Sequence, residues 1–178
     1  QIGTALNDRH RYRRLNPGLA LAWKVNPGLS LRAGYAESNR APTAAELSCA
    51  DENAPCSLTN FFVADPPLNQ VVARTWNAGA SGQADSAGWN LDWRLSAFRT
   101  TNRDDISYIA SAIRGRAYFQ NVGDTRRQGA DISLEARKGG LRLAASYALI
   151  DATFRSALTM SSPSNPQASA DGTIAVRV

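Results

Sequence analysis

Four neighbouring residues have the clearest chemical potential in this sequence: Arg114, Arg116, Tyr118 and Phe119. Two guanidinium groups beside two aromatic rings can attract an anion and hold a flat group against a ring face. The same residue types also suit a nucleic-acid phosphate and base, but no other part of an RNA-binding motif accompanies them. We therefore do not expect a nucleic-acid partner.

The remaining polar residues give little indication of a catalytic site. The chain has one His and two Cys, and no Ser, His and Asp are spaced as a triad. Asp104 and Asp105 are adjacent, so in a strand they would point to opposite faces and could not share a proton. We expect these two carboxylates to be rim charges, the protein not to be an enzyme, and no cofactor to be needed.

The two cysteines, Cys49 and Cys56, lie in one polar, proline-containing stretch. In an oxidising compartment they would form a local disulfide that stabilises the fold by about 2–3 kcal/mol. In a reduced cytosol they would be two unrelated thiols. A metal site is not expected, because the single His10 is distant in sequence and zinc normally takes four ligands.

The net charge of +5 is spread along the chain. Only one short basic cluster occurs, and it comprises Arg9, Arg11, Arg13 and Arg14. A dispersed basic excess is typical of a solvated or water-lined face rather than of a dedicated anion-binding surface.

These candidate residues must be positioned by strands, because apolar residues alternate with period two and helical spacing does not fit. The alternation runs through the segments 19–25, 29–35, 76–80, 89–97, 130–136 and 141–149. Phe98 and Ile150 are the clearest exceptions. The segments before and after Asn26-Pro27-Gly28 predict a β-hairpin. The fold class predicted from this pattern is all-β.

The predicted connections alternate in length. Short ones rich in Gly or Asn span 26–28, 83–88 and 138–140, whereas long ones span 38–70, 105–123 and the chain after Phe154. A membrane barrel with short turns at one rim and long loops at the other has this asymmetry. Trp and Tyr on the apolar parity are expected near strand ends, as in interfacial girdles, and comprise Trp23, Tyr35, Trp76, Trp89 and Tyr147. A soluble sandwich remains an alternative on patterning alone.

Five stretches in order carry a family resemblance. Tyr35 to Leu47 reads YAESNRAPTAAEL and resembles the R-x-P-x-x-x-E-L motif in the barrels of TonB-dependent outer-membrane receptors, here Arg40, Pro42, Glu46 and Leu47. The stretches LNQVVARTWNAG, AFRTTNRDDI, YFQNVGDTRRQGADISLEA and SYALIDATF are similar to the strands that follow in that family. Their order resembles the C-terminal half of such a barrel and covers nearly the whole chain.

The resemblance implies a fold and a transport function. It implies an antiparallel meander of about seven strands, part of a transmembrane β-barrel of about 22 strands. Residues 1–178 would form a partial barrel domain without the plug domain that closes the lumen. The implied function is active uptake of scarce cargo, most commonly a ferric siderophore, in the bacterial outer membrane. Implied partners are a TonB-type energy-coupling protein acting through the plug, the metal complex itself, outer-membrane lipid and lipopolysaccharide.

The resemblance also assigns roles to residues. Arg114, Arg116, Tyr118 and Phe119 would lie near the extracellular mouth and contact an anionic ferric complex, unless their charges pair with plug carboxylates or lipopolysaccharide phosphates. Arg32, Arg94 and Arg137 would face the lumen, with the same alternative. Pro42, Glu46 and the two cysteines are expected to shape the first long loop. Other functional classes left open are a passive porin or adhesin-type barrel and a soluble all-β binding module.

Overall fold

A computed structural model describes residues 10–57, 67–113 and 115–175, and its main feature is an open antiparallel sheet. The elements in chain order are β1 (Gly18–Asn26), β2 (Leu29–Arg40), α1 (Ala44–Leu47), β3 (Val71–Ser86), β4 (Trp89–Arg103), β5 (Ile106–Ala110), β6 (Ala117–Asn121), β7 (Thr125–Lys138), β8 (Leu141–Phe154), β9 (Thr159–Ser161) and β10 (Thr173–Ala175). Six strands form the sheet in the order β1-β2-β3-β4-β7-β8, while β5-β6 and β9-β10 are separate hairpins. The all-β antiparallel meander is confirmed.

The strand register places the apolar parity of every long strand on one face of the sheet. Directly paired residues of antiparallel strands share a face. One row across the sheet runs through Trp23, Leu31, Ala80, Leu95, Ile132 and Tyr147, and the next through Leu21, Ala33, Ala78, Ala97, Ala130 and Leu149. We call this surface the apolar face and the opposite surface the polar face. The period-two pattern therefore predicted both faces correctly.

The apolar face is uncovered. Trp76 is 62% exposed and Tyr147 is 67% exposed, and most leucines around them are also exposed. In the described ranges no second sheet packs against these side chains, as the two inner faces of a sandwich would. A continuous exposed apolar surface of this kind marks a lipid or partner contact. The soluble sandwich is therefore not the architecture found.

The short connections are tight two-residue turns at one rim of the sheet. Ala87 and Gly88 both have positive φ, at 51° and 79°, which is the conformation of a hairpin turn that follows the sheet twist. The short connection predicted over 83–88 is smaller than expected, because residues 83–86 continue β3 and pair with residues 89–92 of β4. The turns at Pro27-Gly28 and Gly139-Gly140 agree with the prediction.

The expected placement of aromatic residues near strand ends is partly wrong. Tyr35 and Trp76 are paired on β2 and β3 with ring centroids 4.5 Å apart, and each lies five residues inside the strand end at the long-connection rim. Trp89 begins β4 at the opposite rim, where Lys138 Nζ lies 5.7 Å from its ring centroid. Tyr147, however, lies in the middle of β8 and pairs with Ile132. The position of Tyr147 along the strand is given by this strand pairing and does not follow from its residue type.

Phe98 and Ile150 lie on the polar face, as their broken parity predicts. Both are aligned with Gly129 of β7, one from each neighbouring strand. A Cβ at Gly129 would lie 2.8 Å from Phe98 Cε1, so the glycine provides the space in which the phenyl ring rests. No helix among the described residues is long and apolar enough to cross a membrane.

Candidate functional site

The long connections of the sheet meet at the rim opposite the tight turns, and they pack on one another. Cys56 of the first connection and Ala117 of the second exchange backbone hydrogen bonds of 2.9 and 3.1 Å. The Phe119 amide also donates to the Cys49 carbonyl oxygen at 2.7 Å. Below these bonds is a small apolar core of Ile109, Tyr118 and Val122, packed against Phe154, Leu158 and Met160. The rim is therefore one assembled unit.

The first connection begins with the R-x-P-x-x-x-E-L motif. Thr43 is the N-cap of α1, and it forms a capping box with Glu46, while Pro42 is buried. Arg40, the last residue of β2, forms a bidentate ion pair with Glu46. Burial alone would raise the pKa of the Glu46 carboxyl, but hydrogen bonds from Arg40 and Thr43 outweigh it and lower the pKa. These motif residues thus fix the start of the loop.

The disulfide between Cys49 and Cys56 is present, as the sequence predicts for an oxidising compartment. Their Cα atoms are 5.7 Å apart and the bridge spans a separation of seven residues. Both cysteines are buried, and the chain between them closes a small loop whose ends contact β6. The bridge shapes the loop and holds its ends against the second connection.

Asp105 positions the β5-β6 hairpin on the end of the sheet. Its carboxylate accepts hydrogen bonds from the Ile106 amide at 3.1 Å, the Asn102 side-chain amide at 3.2 Å and the Thr125 hydroxyl at 2.5 Å. The sequence interpretation of Asp105 as a plain rim charge missed this role. An Asp at the boundary between two strand-like segments was the available indication, because such residues often bond backbone amides next to them.

The four candidate ligand residues do not share one environment. Arg114 lies outside the described residues. Arg116 is exposed, and its Nη1 donates to the Pro55 carbonyl oxygen at 3.3 Å. Phe119 is half-buried, with its ring 4.8 Å from that of Tyr108, which is 46% exposed. The ring pair and the Arg116 guanidinium are both carried by the β5-β6 hairpin.

Tyr118 has a different position from its neighbour Phe119. It is only 7% exposed and belongs to the apolar core of the rim, so its ring packs internally instead of being offered to solvent. Burial, together with the negative charge and hydrogen bond of Glu52, raises the pKa of its hydroxyl. In β6 successive side chains alternate, so only one of the two aromatic residues can be exposed. Tyr108, which the sequence analysis did not select, takes the exposed place opposite Phe119.

The lumen candidates Arg32, Arg94 and Arg137 all lie on the polar face. This face bounds a concavity of about 700 Å³, to which Arg94 and Lys24 contribute. Arg137 is ion-paired with Glu135, Nε to Oε1 at 2.5 Å. Within the described ranges neither Arg32 nor Arg94 has an ion pair, and Arg32 extends over Gly79, where a Cβ would be 2.8 Å from its Nε. Two of the three cations are therefore available to an anion.

In the part of the chain that the structure describes, no three His, Cys, Asp or Glu side chains come together as a group that could hold a metal ion. At the rim, the Arg116 guanidinium can attract an anion and the paired rings of Tyr108 and Phe119 can contact a flat group.

The amino-acid sequence was also compared with family models. The model described as TonB dependent receptor-like, beta-barrel matches residues 2–173. The match covers the six strands of the main sheet and the first two long connections.

Proposed function

The chain belongs to the TonB-dependent receptor-like β-barrel family, and from this premise we propose that it forms part of the wall of an outer-membrane receptor that imports a ferric siderophore. The family is one of transport receptors and not of enzymes. The observation that carries the proposal is the family match over 2–173 on a sheet with one exposed apolar face and one polar face.

The two faces suit a wall between lipid and water. Barrel strands turn alternate side chains to lipid and to an aqueous lumen. The apolar face carries Leu, Ala, Trp and Tyr in successive rows, whereas the polar face carries charged pairs such as Glu135 with Arg142, whose Nε lies 2.7 Å from Oε1. On this arrangement Arg32 and Arg94 line the path of an anionic complex, while Arg137 is already neutralised.

The cargo class is inferred from the exposed chemistry of the β5-β6 hairpin. Ferric catecholate and carboxylate complexes are anionic and present flat groups at their surface. The Arg116 guanidinium supplies charge, and the paired rings of Tyr108 and Phe119 supply a surface for such groups. Arg114 would add a second cation to this hairpin. Tyr118 supports the site from beneath, since its buried ring holds β6 in place.

The proposal assigns the rest of the transport cycle to other parts of the receptor. Residues 1–178 are proposed to form one partial barrel domain. A plug domain would close the lumen, and a TonB-type protein would act on that plug to release cargo with energy from the inner membrane. Outer-membrane lipid and lipopolysaccharide would surround the apolar face.

The test is uptake by cells that carry the full-length receptor. Iron-starved cells are given a ⁵⁵Fe-labelled tris-catecholate complex, and accumulation is measured with and without a protonophore. We expect accumulation that the protonophore abolishes. Each of the variants Arg116→Ala and Phe119→Ala should weaken binding by roughly tenfold, about 1.4 kcal/mol, as expected for one cation–π or charged contact.

The matched control is Lys138→Ala, because Lys138 lies on the apolar face at the opposite rim and cannot touch cargo at the long-loop rim. Accumulation that persists with the protonophore would instead indicate a passive barrel. Energy-dependent uptake of cobalamin but not of the iron complex would support the assignment as a transport receptor and contradict the proposed siderophore cargo.

A further inference from the structure

The loop that the disulfide closes, residues 49–56, lies along the free edge of β6, and we call it the disulfide loop. The Phe119 amide donates to the Cys49 carbonyl oxygen at 2.7 Å, and Ala117 and Cys56 exchange backbone bonds of 3.1 and 2.9 Å. Alternate residues of an antiparallel strand direct their backbone groups to opposite edges. Strand β5 is paired with β6, so β6 lies between β5 and the disulfide loop.

Two side chains of the same run also bond to the disulfide loop. Arg116 Nη1 donates to the Pro55 carbonyl oxygen at 3.3 Å, and the Tyr118 hydroxyl is hydrogen-bonded to Glu52. Together with the Phe119 amide, these bonds connect the disulfide loop to each of the three candidate ligand residues that the structure describes. The loop therefore contacts the same short run of chain that carries the proposed ligand contacts.

The disulfide loop is suited to hold these residues in fixed positions. The side chains of Cys49, Pro55 and Cys56 are each under 2% exposed, and the two cysteines are joined covalently. In the described part of the chain, the hydrogen bonds of residues 49–56 run within the first connection or to residues 116–119, and none reaches the six strands of the main sheet. The loop thus acts on the second connection and not on the barrel wall.

The bond to Pro55 orients Arg116 without neutralising it. A carbonyl oxygen is an uncharged acceptor, and a guanidinium group has further N–H donors that stay available to an anion. Among the described residues Arg116 has no ion pair, whereas Arg137 is paired with Glu135. An arginine side chain that is already ordered loses less conformational entropy when it binds a ligand.

We propose that the disulfide loop is the positioning element of the ligand site, with the Pro55 carbonyl directing the Arg116 guanidinium and the Cys49–Cys56 bridge holding β6. Pro55 and the two cysteines are positioning residues, because they act on cargo through Arg116 and do not contact it. This inference rests on the proposed function, which makes Arg116 a ligand contact. It assigns the bridge a contribution to ligand affinity in addition to its part in shaping the loop.

The test is a double-mutant cycle in the full-length receptor, with a ferric tris-catecholate complex as the probe and its Kd measured by quenching of tryptophan fluorescence. The double variant Cys49→Ala with Cys56→Ala removes the bridge and keeps both buried sites apolar. We expect its Kd to rise about tenfold, because the ligand must then order Arg116 itself. In an Arg116→Ala background, the same removal should change Kd by less than about threefold. An equal factor in both backgrounds would overturn the proposal, since a bridge that only stabilised the rim gives that result.

A second variant leaves the bridge intact. Pro55→Ala frees the φ angle that the proline ring fixes beside the carbonyl, and it should raise Kd about threefold. Asp171→Asn is the matched control, because Asp171 closes a turn of the third connection through Ser169 and Thr173. This control should leave Kd unchanged, and a rise equal to that of Pro55→Ala would show that any loosening of the rim has the same effect.

A measurement without ligand separates this inference from the proposed cargo. In the bridge-free variant, hydrogen exchange at the Ala117 and Phe119 amides should accelerate about tenfold, while β8 exchanges as before and shows that the barrel is folded. Unchanged exchange at these two amides overturns the inference, and so does faster exchange with an unchanged Kd. An unmodified receptor that binds no tris-catecholate complex contradicts the proposed cargo, whereas faster exchange would then still support the disulfide loop as the element that positions β6.

Discussion

Arg40 and Glu46 form a two-point ion pair, with Nη1 2.7 Å from Oε2 and Nη2 3.1 Å from Oε1. Glu46 Oε2 also accepts from the Thr43 amide at 2.7 Å, and the Thr43 hydroxyl accepts from the Glu46 amide at 3.2 Å. One carboxylate thus joins the end of β2 to the first turn of α1. This explains the spacing of the R-x-P-x-x-x-E-L motif, because six residues bring the chain back onto the strand end from which it left.

Replacing Glu46 with Gln should loosen the first connection without disturbing the sheet. The change removes the charge opposite Arg40, and we expect a loss of about 1 kcal/mol of local stability, because the Arg40 side chain is 46% exposed and solvent screens the pair. Hydrogen exchange of residues 43–57 in the full-length receptor should accelerate about fivefold. Thr43→Ala removes one capping bond but keeps the pair, so it should show a smaller effect. Unchanged exchange in Glu46→Gln would contradict the anchoring role.

The same anchor should depend on pH. The folded pKa of Glu46 is lowered below its ordinary value of 4.5, so the ionised form is the one that the fold stabilises. This stabilisation is fully present above the ordinary pKa and is lost as pH falls through the lower folded pKa. Protection of residues 43–57, corrected for the intrinsic exchange rate, should therefore be flat above pH 5 and decline below about pH 4. Glu46→Gln should give a flat profile, and a decline of equal size in that variant would assign the effect to another group.

Adjacent alanines on β8 test which face meets lipid. Ala145 pairs with Leu134 on the apolar face, whereas Ala144 pairs with Glu135 on the polar face. An arginine at the bilayer midplane of a barrel costs about 2–4 kcal/mol, so Ala145→Arg should lower the unfolding free energy of the full-length receptor by that order. Ala144→Arg should be nearly neutral beside Glu135. Urea unfolding in lipid vesicles measures both, and the reverse ranking would invert the two faces.

Gly129 should tolerate no side chain. A methyl group there would lie 2.5 Å from the Leu149 carbonyl oxygen and 2.8 Å from the Phe98 ring. We expect Gly129→Ala to destabilise the receptor by about 1–3 kcal/mol, because backbone and ring must both shift. Gly140→Ala, where nothing lies within 4 Å of the added Cβ, is the matched control. Equal unfolding temperatures for the two variants would show that Phe98 moves aside freely.

The sheet could be predicted from sequence because the period of its pattern equals the period of its geometry. Trp93 and Leu95, for example, alternate with Asp92 and Arg94, and no other regular structure puts those pairs on opposite faces. Depth along the strand was harder to predict. Tyr147 would lie on the apolar face at any depth along β8. Only its pairing with Ile132 shows that it lies in the middle of the strand.

The rim and the grouping of arginines on the apolar face were less accessible to sequence reasoning. Tyr118 and Phe119 are adjacent aromatics, and which one is buried depends on the β5-β6 hairpin, whose register no local pattern fixes. Arg74 and Arg126 meet on either side of Thr101 on the apolar face, and predicting this requires the register of three strands at once. A slip of one residue in β7 would move Arg126 to the polar face and Arg127 to the apolar one. Each arginine is visible in the sequence, but their convergence is not.

The paired backbone bonds between Cys56 and Ala117 have a consequence for engineering. The first and second long connections share a short β-bridge, and the disulfide fixes one side of it. A loop transplanted from another receptor would lack the backbone hydrogen-bonding partner that the neighbouring connection requires. Chimeras that exchange residues 41–57 alone, or 105–122 alone, should therefore assemble poorly, while those that exchange both together keep a complete interface. The natural unit of recombination at this rim is the pair.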